Sequence, residues 1–276
     1  MRVFVTGATG YIGSAVVREL IDAGHEVLGL THSDDGVAIL KAARAEAHRG
    51  DLDDVDSLRS GVAAADGVIH LAFKHDFANF NASLAADLRA VEAMGNAIEG
   101  SGKPFVTTAH ANGEASDSAT IALANRGVRA SVVSLAPSVH GEGDKGFVPR
   151  LIKIARGTGV SAYIGEGTNR WPAVHRLDAA RLFRLALETA PAGSRLSGVS
   201  DEGVPFRDIA CVIGRHLEVP VASISREEAN THFGFLGAIA ALDLPRSSRE
   251  TQELLDWRPV HLSLIEDLER GHYFST

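Results

Sequence analysis

The chain has 276 residues, 45% of them apolar and 22% charged, with a formal net charge of −8, which suits a globular protein with a sizeable core. The acidic balance and scattered Lys and Arg argue against nucleic acid or an anionic membrane surface as a partner. A single cysteine, Cys211, excludes internal disulfides and a cysteine-based zinc site, and no apolar stretch is long enough to span a membrane, so a soluble cytoplasmic protein is predicted.

Short β-branched runs alternate with Ala- and Leu-rich helical stretches, the pattern of a parallel sheet wrapped by helices. The first strand is 2–6; it runs into a glycine turn, so the opening residues read as a strand and not as a signal peptide. A helix over 13–23 closes at Gly24, and strand two follows at 25–30. Next come a helix over 35–47, a brief strand before Gly50, and a helix over 54–63 capped by Asp53 or Asp54. Strand four is 67–71, a long amphipathic helix covers 83–99, strand five is 104–108, a short helix covers 116–126, and strand six is 128–135. Beyond Leu135 the alternation loosens into helices near 147–156, 177–188, 206–217, 226–231 and 262–270, with glycine-rich turns at Gly141-Glu142-Gly143 and Gly165-Glu166-Gly167. The expectation is an α/β Rossmann fold, a doubly wound parallel sheet of about seven strands. Residues 1–135 form the dinucleotide-binding domain, and 136–276 a small, mostly helical C-terminal substrate lobe interleaved with the last strands of the sheet. Trp171 and Trp257 are assigned to the core of that lobe.

Gly7, Gly10 and Gly13 stand as G-x-x-G-x-x-G between a strand and a helix. Glycine there permits positive φ and lets backbone N–H groups approach a pyrophosphate, to which the helix amino terminus adds partial positive charge. The turn is therefore the predicted cofactor-binding element. At the end of strand two an acidic residue would accept hydrogen bonds from the ribose and favour NAD. Thr31-His32-Ser33 offers two hydroxyls and an imidazole there, with no carboxylate before Asp34, which favours NADP over the alternative, NAD.

T-G-A-T-G-Y-I-G at 6–13, G-D-L-D at 50–53 and H-L-A at 70–72 together resemble the extended short-chain dehydrogenase/reductase family, which includes nucleotide-sugar epimerases and dehydratases. The likeness continues in A-P-S-V-H-G at 136–141, V-H-R-L-D-A-A at 174–180 and L-L-D-W-R-P at 254–259, so it covers nearly the whole chain. The resemblance implies that Gly7, Gly10, Tyr11, Ile12 and Gly13, with Thr9 among them, bind the pyrophosphate, that Asp51 and Leu52 flank the adenine, that Leu71, Ala72 and Phe73 lie beside the ribose, and that Pro137, Ser138 and Val139 run along the nicotinamide. It also implies a small-molecule substrate; the 83–99 helix is the kind that pairs in family homodimers, but its partner helix is shortened here, which leaves the oligomeric state open.

One family feature is missing. The family's proton-transfer pair is Tyr-x-x-x-Lys before strand six, assisted by a Ser or Thr just past strand five. This chain has three tyrosines, Tyr11, Tyr163 and Tyr273, and none has a lysine four places on. His110 falls in the slot of the Ser or Thr and is the catalytic candidate, the alternative being a loop histidine facing water. His75 and Asp76, His140, His175, Asn169 and Arg170 are further polar candidates, each with a purely structural alternative. No histidine pair has helical metal-ligand spacing, so no metal is predicted. Two functions remain open: an NAD(P)-dependent oxidoreductase or epimerase-like enzyme with an atypical active site acting on a carbonyl or hydroxyl substrate, and a non-catalytic NAD(P)-binding sensor or regulatory protein.

Overall fold

The structure is a computed structural model describing residues 1–76 and 79–275. In chain order its elements are β1 (Arg2–Thr6), α1 (Tyr11–Asp22), β2 (Glu26–Thr31), α2 (Asp34–Ala42), β3 (Glu46–Arg49), α3 (Val55–Ala63), β4 (Gly67–His70), α4 (Phe80–Ala97), β5 (Pro104–Thr108), α5 (Glu114–Ala122) and β6 (Arg129–Leu135). They continue with β7 (Ser138–His140), α6 (Phe147–Thr158), β8 (Ser161–Ile164), β9 (Arg170–His175), α7 (Arg176–Thr189), β10 (Ser194–Gly198) and β11 (Asp201–Pro205). The last are α8 (Phe206–Leu217), β12 (Val221–Ile224), α9 (Arg226–Phe233), α10 (Gly237–Ala240), α11 (Arg249–Leu255) and α12 (Leu264–Glu269). The chain divides into two units: Met1–Ser134, Ala179–Ser197 and Glu250–Trp257 form the first, and Leu135–Asp178, Gly198–Arg249 and Arg258–Thr276 the second.

The first unit is built on a seven-stranded sheet in the order β10-β6-β5-β4-β1-β2-β3, as expected of a Rossmann fold. The pairings from β3 across to β6 are all parallel. Val3, Phe4 and Val5 of β1 are fully buried, the signature of a strand covered on both faces. Close helix–sheet packing depends on Gly61 of α3, where a β-carbon would lie 2.4 Å from the Phe4 ring. Because β1 sits between β4 and β2, the strand order reverses beside it, which opens a ligand crevice at the carboxyl ends of these strands. Arg129 of β6 donates to the carbonyls of Leu187 (2.5 Å) and Ala190 (3.1 Å), satisfying the carboxyl end of α7. Helix α2 stops at Ala42, earlier than the pattern predicts, because Arg44 turns to φ 62° and releases the chain into β3.

The second unit contains the helices predicted near 147–156, 206–217, 226–231 and 262–270, whereas the one predicted at 177–188 lies almost wholly in the first unit as α7; the second unit also holds two small sheets, ordered β11-β9-β7 and β12-β8, which the sequence pattern did not reveal. Its core gathers Trp171, Phe206, Ile209, Ile213, Phe233 and Leu264. Trp171 meets Phe206 edge to face at 5.0 Å between centroids. Trp257 is equally buried, yet it belongs to the first unit and not to the lobe assigned from sequence, since α11 returns there with it. No helix among the described residues is long and apolar enough to cross a membrane.

Candidate cofactor and proton-transfer site

The glycine turn folds as its residues dictate. Gly7 takes φ +66°, and a β-carbon on it would press within 2.8 Å of the backbone of Leu71 and Ala72. A β-carbon on Gly13 would fall 2.0 Å from the Gly7 carbonyl oxygen, so that position closes the turn onto α1. Gly10 differs: among the described residues a β-carbon on it would have one close neighbour, the Gly7 oxygen at 3.2 Å, and it is exposed together with Thr9. Gly10 caps α1 without a side-chain hydrogen bond, and the first turn of the helix carries no acidic residue. The first-turn N–H groups and the positive end of the helix dipole thus surround a spot where a side chain is missing, a cradle suited to a pyrophosphate. Tyr11 and Ile12 are half-buried beside it.

At the end of β2 the structure redistributes the predicted roles. Thr31 is buried, with Oγ1 3.4 Å from the Ser33 N–H, and Ser33 Oγ accepts from the Gly36 N–H at 3.0 Å as the cap of α2. Both hydroxyls serve the turn, leaving His32 as the exposed side chain of the three. The sequence reading missed Arg49, whose guanidinium donates to the His32 carbonyl at 3.0 Å and pairs with Asp34. Asp51 lies 4.0 Å from the His32 ring and receives the Asp53 N–H at 2.9 Å, while Leu52 is buried. Lys74 pairs with Asp53, and His75 and Asp76 are exposed. Leu71 and Ala72, half-buried after β4, send their N–H groups to Thr6 Oγ1 at 3.2 Å each.

The same edge holds a buried polar cluster. His110, just past β5, stacks on Phe73 with centroids 4.0 Å apart and planes 28° apart. Its Nε2 is 3.8 Å from Oδ1 of Asp87, a buried residue of α4, and the same oxygen accepts from His70 Nε2 at 3.1 Å. Burial pushes the Asp87 carboxyl up, but hydrogen bonds from His70 and Ser116 and the attraction of His70 and His110 outweigh it and hold the group below the usual range. Burial pushes the His110 imidazole down to about 4, against the pull of Asp87. Asp117 on α5 is raised by burial, partly opposed by Arg195. His110 is thus a neutral imidazole at physiological pH, backed by an ionised carboxylate.

Unfolded, His110 titrates near 6.5, and folded, near 4. Between these values the unfolded chain binds more protons, so stability falls with falling pH. From about pH 7.5 to about pH 5 the His110 contribution is a loss of ~2 kcal/mol. Urea midpoints across that range should show it, and His110→Gln should flatten the profile by that amount; an unchanged profile would contradict burial of a neutral ring.

In the second unit, Ser138 of β7 is 3% exposed, and its Oγ lacks a hydrogen-bond partner among the described residues, while Pro137 and Val139 are half-buried. His140 is fully buried and bonds Asp267 through Nδ1 at 2.9 Å. Burial, then His140 and His261, bring His175 down to about 4. Asn169 donates to the carbonyls of Ala240 (2.8 Å) and Leu242 (3.1 Å), and Arg170 forms a forked pair with Asp243, so both secure the chain near α10. Among the described residues no group of three or more His, Cys, Asp or Glu could hold a metal.

Residues 3–103 match the NAD dependent epimerase/dehydratase family. An uncharacterized protein of Schizosaccharomyces pombe is 47% identical over 99% of this chain and 100% of its own. A 2-alkyl-3-oxoalkanoate reductase of Stenotrophomonas maltophilia is 28% identical over 76% of this chain and 73% of its own. Among solved structures, dTDP-glucose 4,6-dehydratase of Streptomyces venezuelae with NAD and TYD bound superposes with a TM-score of 0.78 at 17% identity, covering 99% of this chain and 97% of that one.

Proposed function

Since the chain belongs to the NAD dependent epimerase/dehydratase family, within the extended short-chain dehydrogenases/reductases, we propose that it is an NADP-dependent oxidoreductase in which His110 replaces the family's tyrosine as the proton-transferring group. The observation that carries this reading is the placement of His110, with Nε2 3.8 Å from the buried Asp87 carboxyl, just past β5 and one strand from the glycine cradle's neighbour β4. The residues fit the dinucleotide: Gly10 leaves the cradle open, and the first turn of α1 is uncapped by side chains. When bound, the nicotinamide supplies the chemistry of accepting or giving a hydride. In alcohol oxidation the hydrogen on the carbinol carbon would leave with its bonding pair, as the hydride the nicotinamide would accept, and the O–H proton would pass to His110; carbonyl reduction is the reverse. The substrate is a carbonyl or hydroxyl compound, and 3-oxo acids join the candidates because the Stenotrophomonas relative is a 2-alkyl-3-oxoalkanoate reductase.

The preference for NADP rests on the missing carboxylate at Thr31 and on the Arg49 guanidinium at the same edge. A guanidinium is a strong partner for a 2′-phosphate. Arg49→Ala should weaken NADP about tenfold and leave NAD within about twofold by calorimetry. An equal loss for both cofactors, or tighter NAD binding by the wild type, would reverse the assignment. The activity itself is tested by NADPH oxidation against aldehydes, ketones, 3-oxo acids and nucleotide sugars. Sustained turnover is expected. Firm NADP binding with no turnover anywhere would favour the sensor reading that the missing Tyr-x-x-x-Lys suggests.

A further inference from the structure

Asp87 is a carboxylate in the middle of α4, 1% exposed, on the stripe that also buries Ser83, Ala90 and Met94. An ionised carboxylate is poorly tolerated inside a protein unless it is paired and hydrogen-bonded. Here its ion-pair partners among the described residues are two imidazoles, with no Lys or Arg.

The first imidazole has a fixed role. Leu71 and Ala72 N–H groups both reach Thr6 Oγ1 at 3.2 Å, so that oxygen is engaged as an acceptor and sends its own proton to His70 Nδ1, 2.6 Å away. His70 therefore carries its hydrogen on Nε2 and donates it to Asp87 Oδ1 at 3.1 Å. The donors run one way, from Thr6 to His70 to Asp87. The second imidazole is in a different position. His110 turns Nε2 toward the same oxygen from 3.8 Å, beyond hydrogen-bond reach, with its ring held against Phe73 and its side chain 17% exposed.

We propose that Asp87 is the positioning residue of His110: it selects the Nε2–H form of the ring and leaves Nδ1 as the atom that exchanges a proton with substrate. The inference rests on the reading of His110 as the proton-transferring group. When Nδ1 takes the substrate O–H proton, the ring becomes an imidazolium whose Nε2–H already faces Asp87. The gap then closes to a charge-assisted hydrogen bond, and the carboxylate balances the new charge. The proton later leaves to solvent, and no bond to the protein forms. His70 stays outside this exchange, because a proton on its Nδ1 would oppose the proton Thr6 donates.

The test reads imidazole tautomers in the whole protein by long-range ¹H–¹⁵N NMR near neutral pH. In the wild type, His70 and His110 should both be protonated on Nε2 alone. Asp87→Asn keeps an acceptor for His70 and removes the charge. His110 should then populate both tautomers, and kcat should fall at least ~100-fold, with KM and NADP affinity within about twofold. A wild-type His110 protonated on Nδ1 overturns the proposal, even if Asp87→Asn fails to fold. An Asp87→Asn protein with unaltered His110 signals and unaltered kcat reduces Asp87 to a packing role and overturns it too. If the wild type binds NADP but turns nothing over, the oxidoreductase reading fails, while the tautomers still decide this one.

Discussion

Replacing His110 with alanine or glutamine is expected to lower kcat by about a hundred- to ten-thousand-fold, the range that a positioned acid or base supplies. Glutamine is the sharper of the two variants. It preserves bulk against Phe73 and can hydrogen-bond a carbonyl, yet it cannot take up a proton. A glutamine variant that matches alanine assigns the loss to proton transfer, whereas one that recovers most of the rate assigns it to hydrogen bonding alone. The pH dependence gives a second signature. With the imidazole at about 4, alcohol oxidation needs the neutral form, so its rate should be flat around neutrality and fall only as pH approaches that value. Carbonyl reduction needs the imidazolium, scarce at neutral pH, and should accelerate toward acid until the fold gives way. Unchanged kcat in both variants would remove His110 from the mechanism.

Gly10→Val should abolish dinucleotide binding, an affinity loss of about a hundredfold or more, while leaving the fold intact. Gly10 has an ordinary φ of −73°, and among the described residues an added β-carbon would meet just the Gly7 oxygen, at 3.2 Å, so the protein itself has room. The branches of valine would instead occupy the cradle over the first turn of α1. Gly13→Ala is the contrasting control. Its β-carbon would fall 2.0 Å from backbone, so it should destabilise the turn itself, by several kcal/mol, and lower the melting temperature. Calorimetry and thermal unfolding on both variants separate the two effects. Unchanged NADP affinity in Gly10→Val would reject the site.

The elements that sequence patterning located best are those with a strong period or a hard boundary. Strand 104–108 and helix 206–217 emerge with the ends the pattern assigns. Strands β7, β8 and β12 of the second unit escaped because they are three or four residues long and mix Ser or His with apolar residues, leaving no alternation to count. In the site, the glycine turn was legible because its spacing is itself the geometry. His110 was legible as the first titratable residue past a strand. Asp87 was not, since a lone acid in an amphipathic helix reads as part of the solvent face. The available signal was its place four residues after Ser83 and seven before Met94, inside the buried stripe. Arg49 was missed because its partners lie 15 and 17 residues away, across a strand pairing that only the fold creates.

The returning segments of the first unit bear on how the protein is made. Its sheet needs β10, and its buried Trp257 comes from a stretch near the end of the chain. A ribosome delivering about 5–20 residues per second exposes Met1–Ser134 long before those pieces exist. Until Ser194–Gly198 emerges, β6 has a bare flank, an open edge able to pair with another nascent chain. The first unit therefore begins to fold before the second, yet it cannot close its sheet until β10 is made, so this edge stays open to aggregation while residues 136–193 are synthesised.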